Sequence, residues 1–327
     1  MAVKITRQAN KIALIGAPVS AGACGAGPER APQALRDAGL VTRLTEAGFE
    51  VNDMGDIPAH AFAADEQTPR ARNLAGVVAA NLALKPQVEL AVKSGALPLI
   101  LGGDCTIALG VIAGVRRYFP HVCLMYCDGD ADLNTPATTP SGFLEGMVVA
   151  HIAGQGAPEL VRISSESPLV REPDIALFGT SRLDLGEQQF LARSPMNHYP
   201  ADDIRRRGAA TVAQQAAARI HSGKKQMVLH FDSDVLSSTD LAATNFGSPS
   251  GLRDEEVRAA LEVFCHREEL AAFIVTEYIA EKDADGAAAR KLIDLIVGAL
   301  RTRIVAAQPS VPAEDPATES ADAATNA

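Results

Sequence analysis

The chain has 327 residues, of which 47% are hydrophobic, and it contains no tryptophan. This length and composition allow one large α/β domain with a core of Ala, Val, Leu and Ile. The formal net charge of −10 argues against nucleic acid and anionic membranes as partners. The amino terminus lacks the apolar core of a signal peptide, and no later segment is long enough to cross a bilayer. Because the five cysteines have no paired spacing, we expect a cytoplasmic protein without a disulfide framework.

Apolar runs of strand length alternate with amphipathic runs of helix length along most of the chain. The predicted strands are 11–19, 49–54, 96–101, 122–125, 174–178, 226–231 and 271–278. The predicted helices are 29–46, 70–94, 107–117, 145–153, 201–222, 252–268 and 287–303. This alternation predicts one α/β domain over residues 1–307, with a parallel sheet covered on both faces. Residues 308–327 have almost no apolar side chains to bury and are expected to form a disordered tail rich in Ala, Pro and Glu.

Two of the predicted strands end in closely spaced aspartates. They are Asp128, Asp130 and Asp132 after the fourth predicted strand, and Asp232 and Asp234 after the sixth. Ligand sites of open α/β sheets lie at the carboxyl ends of strands, and residues two apart on an extended backbone point to the same side. Asp-Gly-Asp alone is also common in solvated turns. The second aspartate pair favours one shared, oxygen-rich site for a hard cation such as manganese or magnesium.

The motifs at these strand ends follow the order found in a known enzyme family. They are Gly102-Gly103-Asp104-Cys105-Thr106, Asp128-Gly129-Asp130-Ala131-Asp132, the segment from Leu133 to Gly142, His230-Phe231-Asp232-Ser233-Asp234, and Glu277. With them the chain from Lys11 to Arg303 resembles the ureohydrolases, and within them the arginases more than the agmatinases or formiminoglutamases. The resemblance implies a three-layer αβα fold of the arginase/deacetylase type. It also implies a homo-oligomer, because relatives are commonly trimers or hexamers.

The resemblance further implies a reaction and the residues that perform it. In arginases, two manganese ions share a bridging hydroxide that attacks the guanidinium carbon and releases urea and ornithine. The implied metal ligands are Cys105, Asp128, Asp130, Asp132, Asp232 and Asp234. The implied catalytic residues are Asp128, Glu145 and Glu277, of which Glu277 pairs with the substrate guanidinium. The implied contacts of the amino-acid end of a small guanidino substrate are Asn134, Ser141, Asp184 and Glu187.

The chain departs from the family pattern at the chemistry itself. Cys105 and Asp130 replace two histidine ligands, Glu145 replaces an outer histidine, and Phe143 replaces a polar contact. A thiolate and a carboxylate in place of neutral imidazoles add roughly two negative charges, which raises the pKa of metal-bound water. Because a thiolate prefers softer ions, a divalent metal other than manganese is an alternative for this site. None of the seven histidines is expected at a ligand position, and His230 is expected to be a satisfied core histidine.

Two hypotheses follow from this pattern. The first is a metal-dependent amidinohydrolase that cleaves the guanidino group of arginine or a related guanidino amino acid. The second is a catalytically silent or weakly active arginase-like paralogue with a binding or regulatory role. The retained carboxylates favour the first hypothesis, and the altered positions support the second. The first hypothesis would be contradicted if the side chains of Asp128, Asp132, Asp232 and Asp234 were splayed apart, or were neutralised by lysine or arginine.

Overall fold

A computed structural model describes residues 5–221 and 225–307. Its strands are β1 (Lys11–Ala17), β2 (Glu50–Asp56), β3 (Leu97–Gly102), β4 (Val122–Cys127), β5 (Ile175–Phe178), β6 (Asn197–Tyr199), β7 (Gln226–Asp232) and β8 (Leu270–Thr276). Its α-helices are α1 (Ala31–Asp37), α2 (Leu40–Glu46), α3 (Leu74–Lys93), α4 (Ala108–Arg116), α5 (Val148–Ile152), α6 (Pro158–Val161), α7 (Leu185–Leu191), α8 (Ala201–Arg207), α9 (Ala209–Ile220), α10 (Asp254–Cys265) and α11 (Ala287–Ala307). Among these helices none has both the length and the apolarity that a bilayer span requires. The predicted tail, 308–327, lies outside the described residues.

The strands form one parallel sheet in the order β2-β1-β3-β8-β7-β4-β5-β6. Helices α1, α2 and α8 to α11 contribute to the apolar core on one face, and α3 to α7 contribute to the core on the other. Strands β3, β4 and β8 are buried along their whole length, because their apolar side chains lie under helices on both faces. The predicted three-layer αβα fold with a parallel sheet is therefore confirmed.

Two of the predicted helices are each divided by a glycine. The predicted helix 29–46 contains α1 and α2, and the predicted helix 201–222 contains α8 and α9. Gly39 (φ 94°) and Gly208 (φ 86°) lie at these breaks. Glycine adopts such positive φ angles without a steric penalty, so the chain can change direction there. Helical periodicity continues across each break, which is why the sequence predicts a single helix.

Candidate active site

The carboxyl ends of five adjacent strands, β3, β8, β7, β4 and β5, surround a cavity of about 330 Å³. All of the site residues predicted from the sequence line it: Cys105, Asp128, Asp130, Asp132, Asn134, Ser141, Glu145, Asp184, Glu187, Asp232, Asp234 and Glu277. Of the described residues that line the cavity, Arg182 alone is basic. So many carboxylates around one cleft create a negative potential that attracts cations.

Four buried side chains at the ends of β3, β4 and β7 form a first group that could hold a metal ion. Cys105, Asp128, His230 and Asp232 each offer one ligand atom, and these four atoms lie within 4.8 Å of one another. The Cys105 thiol donates to Oδ2 of Asp232 at 2.7 Å and lies 3.9 Å from Oδ2 of Asp128. Tetrahedral zinc, with bonds of about 2.0–2.3 Å, requires donor atoms roughly 3.3–3.8 Å apart. The sulfur–oxygen distance to Asp128 is close to this range, and the one to Asp232 would lengthen when the thiol exchanges its proton for an ion. The donor types of this group suit one divalent ion.

His230 is a core histidine, as expected, but only one of its two ring nitrogens has a hydrogen-bond partner among the described residues. Its ring stacks on that of Tyr126, with centroids 4.2 Å apart, and Nε2 lies 3.1 Å from the hydroxyl oxygen of Thr276. Nδ1 is buried and has no hydrogen-bond partner among the described residues, so the histidine is not satisfied within the core. Burial lowers the pKa of His230 to about 3. A neutral imidazole is the form that binds metal ions, and His230 belongs to the first group.

Asp132 does not join either group of potential metal ligands within the described residues. Strand β4 ends at Cys127, and the backbone N–H of Asp130 then folds back to donate to Oδ1 of Asp128 at 2.7 Å. Asp132 has a φ of 51°, and its carboxylate accepts a hydrogen bond from the Tyr126 hydroxyl. The extended backbone assumed for this segment is therefore wrong: all three aspartates line the cavity, but the Asp132 carboxylate turns toward Tyr126 and away from both groups.

A second group of carboxylates, formed by Asp128, Asp130 and Asp234, also has closely spaced oxygens. Here, however, the Arg182 guanidinium lies against two of the three. Nε and Nη2 of Arg182 donate to the two oxygens of Asp130 at 2.6 and 2.7 Å, and Nη2 also donates to Oδ2 of Asp234 at 2.8 Å. Burial alone would lower the pKa of Arg182. The hydrogen bond to Asp130 and the charge of Asp234 outweigh burial, so the pKa lies above its usual value.

The sequence interpretation missed Arg182. The available signal was its place in the loop directly after β5, the strand next to β4 in the sheet. A basic residue at that strand end faces the same edge of the sheet as the aspartates that follow β4. Arg182 forms an ion pair with Asp234, which contradicts the expectation that no lysine or arginine neutralises this carboxylate. The expectation holds for Asp128, Asp132 and Asp232, for which the described residues provide no such ion pair.

Glu145 and Glu277 are buried carboxylates with unused hydrogen-bonding capacity. Both oxygens of Glu145 and Oε2 of Glu277 lack a hydrogen-bond partner among the described residues. Oε1 of Glu277 accepts from the backbone N–H of Cys105 at 3.2 Å. Burial and the charges of neighbouring acids raise the pKa of both side chains well above its usual value. A cationic ligand beside them would offset the cost of keeping these groups away from water.

Burial and mutual repulsion have the same effect on the aspartates of the cavity. The pKa is raised well above its usual value for Asp128, Asp132 and Asp232, with burial as the largest cause. The pKa of Asp130 is also raised by burial, although the hydrogen bond from Arg182 opposes that shift. A positive charge in the first group would allow its aspartates to remain ionised.

Asp184 and Glu187 cap the amino end of α7 as well as lining the cavity. Asp184 accepts from the backbone N–H of Glu187 at 3.3 Å, and Glu187 accepts from that of Asp184 at 3.1 Å. Asp184 also accepts a hydrogen bond from the Asn134 side chain at 2.8 Å, and Glu187 accepts one from the Leu133 backbone N–H at 3.1 Å. Burial raises the pKa of Glu187 to about 7. These contacts fix the segment after β4 to α7, so both residues shape the wall of the cavity.

Comparison with known proteins identifies the family. The sequence model described as Arginase family matches residues 10–300. The arginase of Bacillus caldovelox is 34% identical over 256 residues, which are 77% of this chain and 85% of that protein. This chain belongs to the arginase family. The predicted membership of the ureohydrolases is thereby confirmed.

Solved structures of the arginase family agree with this assignment. The arginase of Bacillus cereus superposes with a TM-score of 0.82 at 28% identity, covering 89% of this chain and 98% of that one. The arginase of Entamoeba histolytica in complex with L-ornithine superposes with a TM-score of 0.82 at 25% identity, covering 90% of this chain and 99% of that one. The arginase-like αβα fold is therefore shared over nearly the whole of these relatives.

Proposed function

We propose that this protein is a metal-dependent amidinohydrolase that cleaves the guanidino group of arginine or a related guanidino amino acid. The observation that carries the proposal is the convergence of all the predicted site residues on one cavity, beside four side chains that could hold a metal ion. The arginase relative solved with L-ornithine supports a ligand with an amino-acid end. The cavity of about 330 Å³ has the size of a small-molecule site.

The first group of Cys105, Asp128, His230 and Asp232 is the place where a divalent cation fits. A cation bound there would lower the pKa of water and so supply the nucleophile. Manganese is the ion implied by the resemblance, whereas the thiol and imidazole donors also suit zinc and ferrous iron. The expected second ion does not fit its position while Arg182 is paired with Asp130 and Asp234.

The remaining residues bind the substrate and move protons. The free oxygen of Glu277 accepts hydrogen bonds from the substrate guanidinium, while Cys105 N–H holds the other oxygen. Hydrolysis breaks the bond from the guanidinium carbon to the side-chain nitrogen, and that nitrogen takes up a proton as it leaves. Glu145 lines the cavity, and because burial raises its pKa, its carboxyl group can exchange this proton. Asn134 and Ser141 line the cavity and would contact the amino-acid end of the substrate, as the resemblance implies.

A urea-release assay with defined metals tests the proposal. Chelator-treated protein is supplied with manganese, zinc, ferrous iron or magnesium and with arginine, agmatine or 4-guanidinobutyrate. We expect urea from at least one guanidino amino acid, and a loss of at least about 10²-fold in the matched variant Glu277→Gln. Protein that binds metal but releases no urea from any compound would overturn the proposal. Calorimetric binding of arginine without turnover would then support the silent paralogue.

Location and assembly are further parts of the proposal. We propose a cytoplasmic homo-oligomer, on the strength of the resemblance and of the cysteine pattern. Light scattering of the purified protein measures the number of chains, and a monomer would contradict the trimer or hexamer.

A further inference from the structure

Arg182 fills the corner of the cavity where Asp130 and Asp234 come together. Its guanidinium lies side-on to Asp130, with two parallel hydrogen bonds of 2.6 and 2.7 Å. This bidentate arrangement is the strongest form of a charge-assisted pair. Nη2 also donates to Asp234 at 2.8 Å, so a single nitrogen atom lies between the two carboxylates.

That nitrogen occupies the space a metal ion would need. Asp128, Asp130 and Asp234 form the second group with ligand atoms close enough to hold an ion. An octahedral ion such as magnesium is bound by oxygens at about 2.0–2.1 Å, and two such bonds to Asp130 and Asp234 would place it in contact with Nη2 of Arg182. Overlap and like-charge repulsion then exclude the ion unless Arg182 moves away.

Arg182 is held in place from two further directions. The backbone N–H groups of Ser181 and Arg182 donate to the carbonyl of Gly129 at 2.8 and 3.3 Å, which ties their loop to the loop after β4. On the outer side Nη1 donates to the Phe246 carbonyl, and the guanidinium lies 5.9 Å from the centroid of the Phe246 ring. Displacing the arginine would break these contacts as well as the ion pairs.

The two groups of potential metal ligands therefore differ in their charge pairing. The second group contains its own positive charge, which pairs with two of its carboxylates. No lysine or arginine of the described chain forms an ion pair with Asp128 or Asp232 in the first group. An added cation gains more from the unpaired first group than from the second.

We propose that the Arg182 guanidinium takes the place of a second metal ion, so that this chain binds one divalent cation in the group of Cys105, Asp128, His230 and Asp232. The inference rests on the proposed function for its catalytic meaning. An arginase-family site of this kind works with one metal ion and one fixed organic cation. Arg182 then acts as a positioning residue that sets the orientation of Asp130 and Asp234.

Counting bound ions tests the inference without relying on turnover. Chelator-treated full-length protein is titrated calorimetrically with zinc and with manganese, and the bound metal is measured by mass spectrometry after gel filtration. We expect one ion per chain in the wild type and two in Arg182→Gln. With manganese, the electron paramagnetic resonance spectrum should show isolated ions in the wild type and a spin-coupled pair in the variant. Two tightly bound ions per wild-type chain would overturn the inference.

Two control variants separate charge and position from general effects. Arg182→Lys retains a positive charge and is expected to keep one ion per chain. Arg72→Gln is the matched control, because Arg72 lies 5.1 Å from the Phe143 ring and donates to the Ser141 carbonyl at 3.1 Å without contacting the aspartates. It too should bind one ion. A folded Arg182→Gln protein, checked by circular dichroism, that still binds one ion would contradict the inference; if the variant does not fold, the wild-type count decides.

The same samples distinguish this inference from the proposed function. One ion per chain without release of urea would support the inference and remove the hydrolase proposal. Two ions per chain with release of urea would overturn the inference and support the hydrolase proposal.

Discussion

The Cys105 thiol lies 2.7 Å from Oδ2 of Asp232 and donates a hydrogen bond to it. Burial, together with the charges of Asp232 and Asp128, raises the pKa of this thiol well above its usual value. Before an ion binds, Cys105 therefore carries its proton, and that proton must leave when the sulfur becomes a ligand. The strand ends thus place a soft donor beside hard carboxylates in one buried group.

Replacing the sulfur should change metal preference. Cys105→Ser keeps the size and the hydrogen-bond donor but removes the soft ligand. We expect the affinity for zinc to fall by about 10-fold or more and the affinity for manganese to change less, because thiolate favours zinc. Competition titrations with a metal-sensitive dye measure both constants. Cys265→Ser, at a buried cysteine of the apolar core, is the control; an equal loss for both metals in Cys105→Ser would contradict the assignment.

Glu145 should matter for turnover more than for folding. Its carboxyl oxygens have no hydrogen-bond partner among the described residues, so Glu145→Gln removes a proton-exchanging group without breaking a described contact. We expect kcat to fall by about 10²–10⁴-fold, with KM nearly unchanged and the free energy of unfolding within about 1 kcal/mol of the wild type. Steady-state assays and denaturant unfolding measure these quantities. A variant with normal kcat would show that another group moves the proton.

His151 should contribute a loss of stability at mildly acidic pH. This contribution is opposite in sign to that of the buried carboxylates of the cavity, whose raised pKa values favour the folded state on acidification. The buried ring accepts a hydrogen bond from the Ala157 N–H at 3.0 Å and lies 2.7 Å from the Met147 carbonyl, and burial lowers its pKa to about 4. Between pH 4 and the unfolded value of about 6.5, the unfolded chain binds more protons, so stability rises with pH and is lost as pH falls. At pH 5 the loss from this histidine alone, relative to pH 7, is about 2 kcal/mol.

The variant His151→Gln isolates this effect. Denaturant unfolding at pH 7 and pH 5 should show a difference between the two pH values that is about 2 kcal/mol smaller in the variant than in the wild type. Other buried groups titrate in both proteins and cancel in this comparison. An identical pH dependence would mean that His151 is protonated in the folded protein.

Close packing of the backbone at Gly103 holds the site residue Glu277 in place. A Cβ atom at Gly103 would lie 1.6 Å from the Val19 carbonyl oxygen, and the Gly103 carbonyl accepts the Glu277 N–H at 3.0 Å. Gly103→Ala should therefore destabilise the protein by about 3 kcal/mol or more and lower the yield of soluble protein. Gly25→Ala is the control, because no atom lies within 4 Å of its added Cβ; its effect should stay within about 0.5 kcal/mol. Equal stability of both variants would contradict the packing described here.

The fold and the residues that line the cavity could be predicted because both depend on local sequence patterns. Apolar runs of strand length mark buried parallel strands, and the carboxyl ends of such strands meet at one edge of the sheet. Asp128 and Asp232 therefore lie together, since the register pairs Cys127 with Phe231 just before them. The divided helices were less predictable, because a glycine such as Gly39 interrupts the backbone without interrupting the apolar periodicity.

The sequence by itself determined the parallel αβα fold, the family and the residues that line the cavity, because each follows from the order of short segments along the chain. Only the tertiary structure decided which carboxylate meets which cation. Asp132 turns toward Tyr126 after the strand ends, His230 joins the group that could hold a metal ion, and Arg182 comes from another strand end to pair with Asp130. Such pairings depend on side-chain directions and on contacts between segments distant in sequence, and the spacing of motifs along one chain does not contain that information.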